Sequence, residues 1–143
     1  FLKEYNNRWF LFCLDNNNQH IYNFALDRIE HIERLPLKYI DCDEDWNEYF
    51  DDVIGVTHQE GKPIKIQLQV TLQQLPYIET KPLHGSQKVL SRNDEGAIIQ
   101  IEVLPNFELE QLILSFGEKV EVLFPAHFRE KIKERIRKSL ENY

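Results

Sequence analysis

Residues 64–70, Ile-Lys-Ile-Gln-Leu-Gln-Val, place an apolar side chain at every second position. Alternation with period two sends successive side chains to opposite faces of an extended chain, so this is a strand with one face to bury. Such a strand needs neighbours in a sheet and a layer of other elements over its apolar face.

The residues that follow supply both. Thr71-Leu72-Gln73-Gln74 has the spacing of a capping box and opens a helix, with Pro76 in its first turn and an end before Pro82. Residues 87–90 form a short strand, Asn93-Asp94-Glu95-Gly96 a hairpin turn, and 97–103 the returning strand. Asn106 caps a helix whose apolar face is Leu109, Leu112, Ile113 and Phe116, and Gly117 stops it. Val120, Val122 and Phe124 make a last strand. Pro125 then starts a helix striped by Phe128, Ile132, Ile136 and Leu140. The order β-α-β-β-α-β plus a helix is the split-βαβ, ferredoxin-like arrangement.

The preceding part reads differently. Residues 1–5 suit a strand, Asn6-Asn7 a turn, and Arg8-Trp9-Phe10-Leu11-Phe12-Cys13-Leu14 a buried strand. After a second turn at Asp15-Asn16-Asn17-Asn18, residues 21–26 return as a third strand, giving a meander. Leu26, Ile29, Ile32 and Leu35 recur every three positions, a helical spacing. Residues 45–50 form a short helix capped by Asp43 or Asp45, with Trp46, Tyr49 and Phe50 packing it down. Charge divides the chain as well. Residues 1–60 hold 5 Lys+Arg and 13 Asp+Glu, whereas residues 61–143 hold 12 and 11. The domain reading is 1–40, an acidic linker over 41–62, and 63–143.

Several chemistries find no support. No apolar run approaches the roughly 20 residues of a membrane helix. Cys13 and Cys42 form no CxxC pair and no disulfide framework, and they read as reduced thiols in a cytoplasmic protein. Asp41, Asp43, Asp45 and Asp52 have the spacing of a calcium loop, but Trp46 stands where that loop needs glycine. The five histidines lack zinc spacing, and the five glycines make no phosphate-cradling loop. His84-Gly85-Ser86 lacks the context of a nucleophile elbow, and it reads as a loop whose polar side chains satisfy backbone groups. No metal, no cofactor and no catalysis are expected. The last helix carries Arg129, Lys131, Lys133, Arg135, Arg137 and Lys138 against Glu130, Glu134 and Glu141, a solvated face or an anion contact.

The most informative cluster pairs Arg8-Trp9-Phe10-Leu11 with Phe24-Ala25-Leu26-Asp27-Arg28-Ile29. Neighbouring strands there set aromatic faces, which stack on bases, beside guanidiniums, which hold phosphate. The same residues can serve a core, with Trp9 and Phe10 inside a small barrel and Arg28 paired to Asp27 or Glu30.

These two stretches resemble the signature of the WYL-domain family of bacterial transcriptional regulators. Residues 63–143, with Pro82-Leu83-His84-Gly85-Ser86-Gln87 and Pro105-Asn106-Phe107-Glu108-Leu109, resemble that family's C-terminal extension, WCX. The resemblance implies an α+β chain: a partial Sm-like, SH3-like β-barrel followed by the ferredoxin-like unit and its C-terminal helix. It implies a turn at residues 26–28 and a barrel strand over 29–35, against the helical spacing. It implies a sensor for a nucleotide or single-stranded nucleic acid. The ligand-binding residues would be Arg8, Trp9, Phe10, Tyr22, Phe24 and Arg28, with Phe10 standing where the family has tyrosine. The chain, without Met and opening inside a strand, is expected to be the C-terminal part of a longer protein. Operator DNA would be reached only through an N-terminal helix-turn-helix outside it. The alternative is a protein-interaction module that dimerises through a strand edge or the last helix.

Overall fold

The computed structural model describes residues 1–143. It is a mixed α/β structure of two antiparallel sheets and four α-helices. The first sheet is a meander of β1 (Leu2–Tyr5), β2 (Arg8–Leu14) and β3 (Ile21–Ala25), in that spatial order. The second contains β4 (Ile64–Thr71), β5 (Lys88–Asn93), β6 (Gly96–Val103) and β7 (Val120–Phe124), in the order β5-β6-β4-β7. Helices α2 (Leu75–Thr80), α3 (Phe107–Ser115) and α4 (Ala126–Leu140) belong to the second sheet. Helix α1 (Trp46–Asp51) belongs to the first. No helix is long and apolar enough to cross a membrane.

The alternation in β4 does what its period requires. Ile66, Leu68 and Val70 are fully buried, and they pair with Ile101, Ile99 and Ala97 on β6. Leu109 and Ile113 of α3, and Phe128 and Ile132 of α4, complete this core. Asn106 caps α3 through its side chain. Gly96 closes the β5–β6 hairpin at φ 143°, where a Cβ would sit 1.9 Å from the Val70 carbonyl oxygen. β5 pairs with β6 through an irregularity between Val89 and Ser91.

Residues 1–40 are built otherwise. Phe12 is their only buried residue. It packs edge-on to Trp46, Tyr49 and Phe50 of α1, whose first turn Asp45 caps by accepting from the Asn47 and Glu48 amides. A strap, residues 52–58, joins the two sheets. Val53, Ile54 and Val56 are buried, and Ile54 enters the main core. Asn23 of β3 donates to the Val56 carbonyl at 2.9 Å, and Leu104 donates to the Asp52 carbonyl at 2.8 Å. Asn106 donates to the carbonyls of Ile54 and Thr57, and the Thr57 hydroxyl donates to Glu108 at 2.7 Å. The strap is thus hydrogen-bonded to the first sheet on one side and to α3 on the other.

Three expectations need correction. Residues 29–35 form neither strand nor helix. A single 3₁₀ turn (Leu26–Arg28) precedes them, and the chain then runs on extended at Ile29 with no ladder partner, leaving Ile32 79% exposed. An extended segment becomes a strand only where another edge takes its N–H and C=O groups. The capping box at 71–74 is not used. Thr71 is the last residue of β4, paired to Gly96, so helix α2 begins only at Leu75, after a Gln74 cap without a side-chain bond. Asp27 pairs with Arg8, Nε to Oδ2 at 3.1 Å, and not with Arg28.

Candidate functional site

The β1–β2 connection is the two residues Asn6 and Asn7, both in the left-handed region at φ 50° and 59°. Asparagine tolerates that backbone, and such a turn matches the twist of a tight hairpin. It fixes the register Tyr5↔Arg8 and Glu4↔Trp9, which continues to Leu2↔Leu11. On the other side of β2, Leu11 faces Phe24 and Cys13 faces Tyr22. Residues directly opposite in a ladder share a face. One face of the first sheet therefore carries Leu2, Glu4, Trp9, Leu11, Cys13, Tyr22 and Phe24.

That face is open. Trp9, Tyr22 and Phe24 are 48%, 42% and 49% exposed. The Tyr22 and Phe24 rings lie 6.5 Å apart at an interplanar angle of 32°. His20 meets the Tyr22 ring edge-on at 4.6 Å, and the Asn18 amide donates to the Tyr22 hydroxyl at 3.1 Å. The opposite face carries Arg8, Phe10 and Phe12 and turns toward α1. There the Tyr49 hydroxyl has its pKa raised, by burial first and by the charge of Glu44 second.

The structure thus divides the six sequence-derived site residues. Trp9, Tyr22 and Phe24 come together on the open face. Phe10 is half-buried on the other side. Arg8 is on that other side too, engaged by Asp27. Arg28 is exposed on the 3₁₀ turn that follows β3 and forms no ion pair. The division was available in the sequence, because adjacent residues of a strand point to opposite faces and Trp9 cannot share one with Phe10. The same rule would have added Leu11 and Cys13. Leu2 and His20 become visible only through pairing and turn geometry.

The His84 loop behaves as its sequence suggests. The His84 ring contacts the Asp51 carbonyl through Nε2 at 2.7 Å and Ser86 Oγ through Nδ1 at 2.8 Å. Ser86 Oγ accepts from the Glu102 amide at 2.8 Å, and Gln87 spans the Leu83 amide and the Ile78 carbonyl. These side chains satisfy backbone groups.

Compared with known proteins, residues 62–140 match the model of the WCX domain family. No curated protein matches the chain.

Proposed function

The chain belongs to the WCX domain family, and from that premise we propose that it is the ligand-sensing, regulatory part of a WYL-type transcriptional regulator. On this reading the first sheet is part of an Sm-like barrel. The second sheet with its helices is the ferredoxin-like WCX unit, a reading supported by its β-α-β-β-α-β element order. The effector is a nucleotide or a short single-stranded nucleic acid.

The observation that carries the proposal is the open face shared by Trp9, Tyr22 and Phe24, all exposed. Exposed aromatics on a sheet stack on bases whatever the sequence, because every base has a π-face. Arg28, free of ion pairs at the end of β3, supplies a phosphate contact. Arg8 holds the turn through Asp27, and Phe10 supports the sheet from beneath. Occupancy would then bias the strap, whose bonds from Asn23 and to Glu108 join the sensing sheet to α3. Through it the effector would reach DNA-binding helices attached elsewhere, a linkage between two sites.

The test is a titration of the chain with fluorescent oligothymidylate at two salt concentrations. Trp9→Ala is expected to weaken binding by about tenfold or more, the range of one stacked base. Arg28→Ala is expected to lower the salt slope by about one, since it removes one phosphate contact. Absence of binding, or binding indifferent to both substitutions, would refute the reading.

A second reading, dimerisation through the last helix, is favoured by one observation. The stripe of α4 is covered at Phe128 and Ile132 but leaves Ile136 and Leu140 53% and 72% exposed. Light scattering across a concentration series would show a dimer that Leu140→Glu abolishes, or a monomer throughout, which would reject it.

A further inference from the structure

A cavity lies away from the aromatic face. Helices α2 and α3 do not close over one another, and the β1–β2 turn reaches between them. The cleft is about 380 Å³, within the size of small-molecule sites. Its walls are Ile54 from the strap, Ile78 from α2, Leu83 from the following loop, and Leu112 and Phe116 from α3 and its end. Tyr5 and Asn6 of the turn complete it.

The charge of this cleft is unlike that of the chain. The protein has 24 acidic and 17 basic residues, yet no carboxylate lines the cleft and Lys81 is its one charged side chain. Lys81 is exposed and has no ion-pair partner. The polar groups beside it are hydroxyls and amides, from Tyr5, Tyr77 and Gln74. The Tyr5 hydroxyl has its pKa raised, by burial first and then by the charge of Glu108, so it stays protonated and able to donate.

We propose that this cleft binds a small apolar molecule bearing a single carboxylate, its apolar body against Ile78, Leu112 and Phe116 and its charge toward Lys81. An apolar wall with few polar groups and one unpaired cation matches that chemistry, and Lys81 would repel a cation. The walls come from both sheets' elements, so an occupant would also tie the β1–β2 turn to α2 and α3. The site is separate from the aromatic face and stands whether or not nucleotides bind there.

The test is calorimetric titration of octanoate into the full chain, with octylammonium as the charge-reversed control. Octanoate is expected to bind at one site. Lys81→Gln, a change of an exposed residue, is expected to weaken it on the order of tenfold, the effect of one charge-assisted bond. Ser115→Trp, which blocks the cleft from an exposed position on its rim, is expected to abolish binding, while the Trp9→Ala/Phe24→Ala pair leaves it unchanged. The proposal is overturned by absence of saturable octanoate binding, by equal binding of octylammonium, or by octanoate binding that ignores both Lys81→Gln and Ser115→Trp. Binding lost instead in the Trp9→Ala/Phe24→Ala pair also overturns it, by moving the ligand to the first sheet.

Discussion

Asn106 is 1% exposed, and its amide nitrogen reaches the carbonyls of Ile54 and Thr57 at 2.8 and 2.9 Å while Oδ1 accepts from the Leu109 amide at 2.8 Å. One side chain therefore caps α3 and holds the strap against it. Alanine there would lose the cap and strand two buried carbonyls. The Asn106→Ala variant is expected to lose about 2–4 kcal/mol, read as a lowered urea midpoint with an unchanged slope. The cap was legible in the sequence, because asparagine before an apolar helical stripe has few other uses. Its second role was not, since the strap residues it binds lie about fifty positions earlier and no local pattern links them. Arg8 shows the same limit: beside Trp9 its guanidinium has the character of a ligand group, and only the fold of the sheet brings Asp27 to it.

Among the elements, α4 carries its own electrostatic dependence. Glu134 accepts from Arg137 at 2.8 Å and lies 3.6 Å from Lys138, while Arg137 also bonds Glu141. The Arg137 hydrogen bond first, then the charges of Arg137 and Lys138, pull the Glu134 carboxyl from 4.5 to about 2. A carboxyl depressed by folding stabilises the fold above its unfolded pKa and ceases to do so as pH falls through the folded value. The helical circular dichroism of α4 is expected to decline between pH about 4.5 and about 2, and Glu134→Gln is expected to remove that part of the acid sensitivity. The effect is small, because the pair is exposed to solvent. Strands and helices with one apolar face were the elements best read in advance, β4 and α4 above all. Residues 29–35 are the least legible. Their helical spacing and their β-like resemblance pointed in different directions, and the backbone follows neither for want of a partner.

At the scale of the molecule, the two sheets are supported unequally. The main core is formed from Ile54 onward, while residues 1–40 bury only Phe12 and leave eleven large hydrophobic residues exposed. The first sheet thus depends on α1 and on the strap. Both tryptophans, Trp9 and Trp46, lie in this dependent part, so their fluorescence reports it while far-ultraviolet dichroism reports mainly α2 to α4. The two transitions are expected to coincide in urea for the parent chain. In Thr57→Val, which leaves neither oxygen of Glu108 with a hydrogen-bond partner, the loss is expected to be about 1–3 kcal/mol, with the fluorescence transition moving ahead. Superposed transitions in that variant would mean that the strap does not couple the sheets. The strap also has a consequence for how the chain is made. Its anchors, Asn106 and Glu108, are translated about fifty residues after the groups they hold. At roughly 5–20 residues per second that is several seconds on the ribosome. Throughout that interval the aromatic strands have been made and their support has not, so the growing chain carries its apolar surface uncovered until the anchors arrive.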